Sequence, residues 1–398
     1  MGGVVAGQET GLGILHQSRL EAIVCTRCLG VNALSIVRAL GRLGVVVHVV
    51  STDLPCNLAS YSRYCATKIS LDGLSSTVFS NQIRRVVDRC ACPPLLYIDN
   101  DLMLYYFLES KVLREQVVFP GSIEIVRKLL DKKYQVMSAI EAGLDVPRSW
   151  FPESWNDISK LENPSGGRLI AKKRFPVESG RDGFKVLAAD NGEQLCRELM
   201  NTQFHPSELF VQEYIPGRDD DVHFALSYQP LHTDGPAIVT GTKLIQSGSG
   251  DGGIMILGQE SHNKTVRALT ERYIKQLGYW GYFDIEFKYD QETKKYFFIE
   301  VNTRPERCNA LARVAGVDLD RISYLDATGD PEVVKAVGNI ARPGVWLDGK
   351  KIFETLRRQR KGRDFMHYIK SLPRKKEWAV WAWDDMKPFW RSLCLPKG

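Results

Sequence analysis

The sequence predicts a chain in two styles. An open α/β domain with a parallel sheet comes first, and an α+β region of antiparallel strands follows. Two stretches carry this prediction. AIVCTRCLGVNALSIVRALGRLGVVVHVVSTD, from Ala22 to Asp53, reads as strand, Gly-containing turn, amphipathic helix and strand. WGYFDIEFKYDQETKKYFFIEVNTR, over 280–304, reads as two strands joined by the polar turn DQETKK. A third observation is a change near Lys335, after which the chain is densely basic and rich in Trp.

The totals allow such a chain. Its 398 residues can hold two or three domains, and 44% hydrophobic with 25% charged residues is ordinary for a globular protein. A net charge of +6 is mild at this length and does not by itself argue for nucleic acid. No apolar run reaches the roughly 18 residues of a membrane span. The opening MGGVVAGQETGLGILHQSRLEA lacks the basic start and long apolar block of a secretory signal, and Ala6 occupies the Ser/Thr position of a myristoylation motif. Nine cysteines in a chain with its own cores point to reduced thiols and a cytoplasmic setting. Cys25, Cys28, Cys90 and Cys92 do not read together as a zinc site. Cys25 falls inside an apolar strand, and the second pair has the wrong spacing.

In chain order, residues 1–20 read as a flexible leader and 21–120 as a Rossmann-like domain. Ala33, Ile36, Val37 and Leu40 give the first helix one buried stripe, Gly41 and Gly44 are expected to end it, and VVVHVV has the continuous apolar character of a strand covered on both faces. The turn offers only Gly30, so a structural domain is expected rather than a dinucleotide site. A loop with Ser62, Arg63 and Tyr64 leads into a short strand. PLLYIDNDLMLYYFLESK, from Pro94, reads as strand, acidic turn and helix. Asp99 and Asp101 sit where open sheets place ligands, but helix capping is the reading preferred.

A second domain is expected over 121–334. In LLDKKYQVMSAIEAGLDVPRSW the helix runs from about Lys132 to Ala142, Gly143 stops it, and Pro147 opens a strand. LIAKKRFPVESGRDGFKVLAAD, from Leu169, is strand, Gly-containing loop (Ser179–Gly183) and strand. LFVQEYIPGRDDDVHFALSY, from Leu209, runs through a Pro-Gly turn into another strand. IVTGTKLIQSGSGDGGIMILGQE, from Ile238, holds Lys243 on a strand and then a Gly/Ser-rich loop, either a plain turn or a lid over a ligand.

The hairpin carries the chemistry. Side chains two apart on a strand share a face, so Glu300 and Asn302 point the same way. If the strands pair about Thr293, Glu286 joins them, and two carboxylates and an amide oxygen converge. Hard oxygens so grouped suit Mg2+, which keeps water and substrate phosphates in its shell. Arg304 follows at once. Exposed strands with solvated carboxylates would read the same way; the motifs along the rest of the chain decide against that.

Over 335–398 a basic, aromatic extension carries KKIFETLRRQRKGRDFMHYIKSLPRKKEW and then Trp378, Trp381, Trp383 and Trp390. Three readings compete: a helix packed on the catalytic body, a peripheral contact with an anionic membrane, and nucleic acid. The last stands lowest, because no binding module accompanies the charge.

FDIEF followed by FFIEVNTR resembles the metal-binding signature of the ATP-grasp superfamily. The Asp-Lys helix phrase, the lysine-bearing strand before a Gly loop, and QEYIPG resemble its other motifs in order and spacing, over about Ala22 to Asp330. The opening phrases and Ser62-Arg63-Tyr64 look most similar to the carboxylate–amine ligases around D-aspartate ligase. The resemblance implies a Rossmann-like pre-ATP-grasp domain followed by two grasp subdomains, about 121–215 and 216–334. It implies that Glu286, Glu300 and Asn302 hold Mg2+ (Mn2+ substituting), and that Lys132, Lys172, Gly180 and Gly183 meet the ATP phosphates. Adenine would be read by the backbone at Gln212, Glu213 and Ile215, and ribose by Asp219 or Asp220. Lys172, Lys243 and Arg304 would act on the transferred group, and Arg304 and Arg313 would face substrate, although a solvated helix arginine is an equal reading of Arg313. The implied activity joins a small-molecule carboxylate to an amine through an acyl phosphate, with ADP and phosphate released. A carboxylase-like reaction and a non-catalytic ATP-binding regulator are the alternatives.

Overall fold

The structure, a computed structural model, describes residues 20–27, 29–163, 166–176, 184, 186–247, 254–359 and 362–395. The Gly loop with Gly180 and Gly183, the Gly/Ser segment 248–253, and the expected leader up to residue 19 lie outside the described residues. Leu20, the last residue of that leader, is already buried.

The chain builds three sheets. The first holds β1 (Ala22–Thr26), β2 (Val47–Ser51), β3 (Cys65–Ser70) and β4 (Leu95–Ile98), in the order β3-β2-β1-β4 and all parallel. Val24 and Val49 face one core while Ile23, Cys25 and Val50 face another, as a sheet covered on both faces requires. Ala33, Ile36, Val37 and Leu40 are fully buried, so the predicted stripe is the packed face of the helix Val31–Arg42. Gly41 does not end that helix. It lets Tyr64 pack against the backbone, where a Cβ would come within 2.3 Å of the tyrosine Cβ.

A small antiparallel sheet follows, of β5 (Ser149–Trp150), β6 (Leu169–Lys173), β7 (Val186–Ala189) and β8 (Leu209–Glu213), in the order β5-β8-β6-β7. It has its own core, with Leu169, Ala171 and Val211 packed on Leu195 and Leu199 of the helix Gly192–Leu199. The helix Lys132–Glu141 leads into this sheet. Asp131 caps it, accepting from the Lys133 N–H at 2.9 Å and pairing with Arg174 just beyond β6. Gly143 takes the left-handed conformation (φ 71°) that ends it.

The large sheet holds β9 (Val222–Gln229), β10 (Ala237–Ser247), β11 (Ile254–Glu260), β12 (Gly281–Asp290), β13 (Lys295–Asn302), β14 (Gly344–Leu347) and β15 (Lys375–Trp378). Its order is β13-β12-β9-β10-β11-β14-β15. The stretch past Lys335 is therefore not an appendage, because β14 and β15 extend the same sheet that carries the hairpin. Leu244, Ile245, Ile256, Leu257, Val345, Leu347 and Ile352 form a shared core. Of the expected readings, packing on the body holds for β14, β15 and Ile352.

Beyond β15 the chain crosses back to the first domain. Arg38 and Asp385 form a salt bridge with side chains 2% and 0% exposed. The Ser62 hydroxyl and the Arg63 N–H also donate to Asp385, at 2.7 and 2.9 Å. Arg42 grips Asp384 with two hydrogen bonds, at 2.8 and 2.9 Å, and holds its carboxyl below the usual range. The Ser-Arg-Tyr phrase thus receives the end of the chain. Removing one partner of a buried pair strands the other charge. Arg38→Ala is expected to lower unfolding free energy by about 3–5 kcal/mol, read from urea titration followed by Trp fluorescence. An unchanged midpoint would show that this strap carries no load.

Candidate functional site

The hairpin of β12 and β13 has the register that the sequence spacing predicts. Glu286 pairs with Glu300 across β12 and β13, and Asp284 pairs with Asn302. A bulge between Glu286 and Phe287 shifts the register immediately beyond the cluster. Four oxygen-bearing side chains therefore stand on one face. Asp284 is the one the sequence reading missed, although strand parity puts it two residues before Glu286 on the same face. Its Oδ1 is buried and finds no partner among the described residues. Burial, then Glu306 and Glu286, hold its carboxyl well above the usual range.

Cations from separate elements meet this face. Lys243 on β10 reaches Glu286 at 2.6 Å, and Lys132, opening its helix, reaches Glu300 at 3.3 Å. Burial opposes the charge on Lys243, but Glu286 outweighs it and lifts the ammonium to about 12. Lys172 on β6 donates to Gln212 at 3.3 Å. Arg304 is half-buried between two carboxylates, contacting Asp101 at 2.5 Å and Glu306. Arg307 pairs with Asp348 and lies over Trp346, so β14 and the residue after it help build the wall.

These groups line a cavity of about 410 Å³. It also takes in Arg27, Asn100 and Asp101, at the carboxyl ends of β1 and β4. The strand order reverses between those two strands, which is where open α/β sheets place ligands. The N-cap there is Asn100, accepting from the Met103 N–H at 3.2 Å. Asp99 and Asp101 are thus not the caps expected of them: Asp101 holds Arg304, and Asp99 accepts from the Thr26 hydroxyl at 2.7 Å. A second, smaller cavity of about 80 Å³ adjoins the first and shares Lys172, Val186, Glu286 and Ile299 with it. Gln212, Glu213, Tyr214 and Ile215 line it, as QEYIPG leads one to expect, facing Ile170 and Val222.

Three of the expected residues lie off both cavities. Asp219 and Asp220 line neither cavity. Asp219 accepts from the Gln246 N–H at 3.0 Å, and Asp220 is taken by Arg363 at 2.6 Å, on a helix beyond β14. Arg313 also lies off the cavity. Its helix, Asn309–Val314, packs toward the first domain, where Arg313 bonds Ser35 and, at 2.7 Å, Glu377 on β15.

Residues 256–330 match the family model described as carbamoyl-phosphate synthase L chain, ATP binding domain. The whole fold is similar to N5-carboxyaminoimidazole synthetase from Staphylococcus aureus complexed with ADP, at TM-score 0.59 and 14% identity over 78% of each chain. It is similar to the biotin carboxylase domain of 2-oxoglutarate carboxylase from Hydrogenobacter thermophilus, in complex with MgADP and bicarbonate, at TM-score 0.59 and 15% identity over 79% of this chain and 70% of that one. The chain has the ATP-grasp fold. An L-amino acid ligase from Bacillus licheniformis shares it at TM-score 0.59 and 14% identity, over 82% of this chain and 78% of that one. No curated protein matches the chain in sequence.

In this ATP-grasp fold both cavities open between the small sheet and the large one. The donor set tests well for the metal that the fold implies. Glu286, Glu300 and Asn302 offer only hard oxygens on one rigid face, Asp284 adds another, and lysine ammoniums already balance two of the carboxylates.

Burial pushes the Asp99 carboxyl up to about 7, against Thr26 and Arg304, which lower it. Unfolded aspartate ionises near 4, so between about 4 and 7 the folded chain holds a proton that the unfolded chain has lost. Stability from this group is therefore present at low pH and falls as pH rises through that window. Asp99→Asn is expected to flatten that fall, measured as unfolding midpoint against pH. A parallel profile in the variant would refute the assignment.

Proposed function

We propose that the chain is an ATP-dependent carboxylate–amine ligase, forming an amide through an acyl phosphate with release of ADP and phosphate. One observation carries this reading: a single cavity joins hard-oxygen ligands and phosphate-facing cations to the ligand end of a Rossmann-like sheet. Adenine would lie in the smaller cavity against Ile170, Val186 and Ile299, with its edge on the backbone of Glu213 to Ile215. Glu286, Glu300 and Asn302 would hold Mg2+, which when bound offsets phosphate charge during transfer.

Lys172, Lys132 and Lys243 neutralise phosphate oxygens. An acceptor carboxylate, lying toward Arg27 and Asn100, attacks the γ-phosphorus in line. The bond to the β–γ bridging oxygen breaks, and ADP leaves. Arg304, held in place by Asp101 and Glu306, stabilises the transferring group. An amine nitrogen then attacks the acyl carbon, the bond to phosphate breaks, and the departing phosphate takes up the proton that nitrogen sheds. Positioning dominates such chemistry, so no side-chain nucleophile is needed. Burial pushes the cavity's one thiol among the described residues, Cys308, well up and leaves it a poor nucleophile.

The likeness to an L-amino acid ligase supports amide formation. The likeness to a biotin carboxylase with bicarbonate supports a second reading, in which bicarbonate is the acid that is phosphorylated. The test is Mg2+-dependent ADP release across a matrix of amino-acid carboxylates and amines, with product masses. Turnover requiring one of each, with a product lighter than their sum by one water, is expected. Turnover with bicarbonate alone would replace this reading with the second, and ATP binding without turnover would favour a regulator. Glu300→Ala should abolish ADP release while leaving the fold intact; near-wild-type release would sink the metal assignment.

We also propose a peripheral contact with anionic membrane through the helices Gly349–Gln359 and Gly362–Ser371. Phe353, Phe365, Met366 and Ile369 are exposed there, with Lys350, Lys351 and Lys370 on the same two helices. No described helix is long and apolar enough to cross a membrane. Co-sedimentation with anionic liposomes at low salt should fall when Phe365 and Ile369 are changed to Ser; equal binding would dispose of this contact.

A further inference from the structure

A second cluster of ligating side chains lies at the opposite end of the parallel sheet from the cavity. Glu21 immediately precedes β1, His48 is the second residue of β2, and Cys90 stands in the turn before β4. Three segments distant in sequence thus bring a carboxylate oxygen, an imidazole nitrogen and a sulfur within 4.8 Å of one another. The cavity opens at the far ends of the same strands, a strand length or roughly 16 Å away.

The arrangement has the parts of a metal site. The Nε2 of buried His48 faces Glu21 Oε2 at 2.8 Å, and its Nδ1 is fixed by the Thr67 hydroxyl on β3 at 2.7 Å. Orientation of the non-ligating nitrogen by an outer partner is what metal-bound histidines share. The Ala91 N–H steadies the other Glu21 oxygen at 3.4 Å. Tetrahedral zinc ligands stand about 3.4 Å apart, from bonds of about 2.0–2.3 Å, so small side-chain movements close the set. Water would complete it.

We propose that Glu21, His48 and Cys90 bind a zinc ion that staples the edge of the first domain. Sulfur and imidazole select a borderline-soft ion, whereas the hairpin offers only oxygen and suits Mg2+. The sites are separate in place and in chemistry, so this proposal stands whether or not the ligase reading does.

The test uses Co2+ as a spectroscopic stand-in on the full chain, stripped with chelator and held in excess Mg2+ to occupy the oxygen site. A single equivalent of Co2+ should give a near-UV thiolate-to-cobalt band that Zn2+ abolishes. Cys90→Ser should lack the band while keeping its ADP release, and Thr67→Val should weaken Co2+ binding by about tenfold or more. Zn2+ should raise the thermal midpoint of the wild-type chain. Should Cys90→Ser fail to fold, Glu21→Gln provides the comparison, with weakened binding expected. No charge-transfer band, or a band of equal strength in folded Cys90→Ser or Glu21→Gln, would overturn the proposal and leave a plain His–Glu pair beside a bystander thiol.

Discussion

The constraint on which the structure depends is a concentration of like charge. Asp284, Glu286 and Glu300 stand on one face of a paired hairpin, with Glu306 and Asp101 close by. Carboxylates so close to one another cannot all ionise unaided. Lys243, Lys132 and Arg304 come from three different elements to balance them. The hairpin cannot be read as a surface pair, because buried Lys243 and half-buried Lys132 and Arg304 are committed to it or to the carboxylates beside it. Burial and neighbouring carboxylates push Asp284 up, and they push Glu306 up even against its pairing with Arg304.

The three sheets divide the work around that cavity. The small sheet has a core of its own and supplies Lys172 and the apolar slot. The large sheet shares cores with the parallel sheet and supplies the carboxylates and Lys243. The parallel sheet contributes Arg27, Asn100 and Asp101 where its strand order reverses. Side chains from three scaffolds therefore meet across one space. Arg304 is the joint, since it follows β13 and is clamped by an aspartate of the first domain.

The end of the chain closes this arrangement. β14 and β15 extend the large sheet, Trp346 and Asp348 brace Arg307 at the cavity wall, and Asp384 and Asp385 lock onto the first domain. Arg363 reaches Asp220 beside the Pro-Gly turn after β8. Basic residues that look like an interaction tail thus include some with structural partners.

Sequence alone determined what depends on local period and spacing. The stripe Ala33–Leu40, the helix from Lys132 to Gly143, and the pairing of Glu286 with Glu300 follow from strand and helix geometry, which neighbours in sequence dictate. Parity would also have delivered Asp284. Tertiary structure decided everything that needs two distant segments to meet. Gly41 reads as a helix stop until Tyr64 is seen against it. Ser62-Arg63-Tyr64 reads as a loop until Asp384 and Asp385 arrive some three hundred residues later. Arg313 reads equally as a substrate-facing or a solvated helix arginine until its helix is seen packed toward β15, and the acidic turn after β4 hides that Asn100 makes the cap. Glu21, His48 and Cys90 carry no spacing signal, because a parallel sheet juxtaposes strand ends however far apart they lie along the chain. Period and parity are properties of one backbone, whereas charge compensation is a property of the space between several.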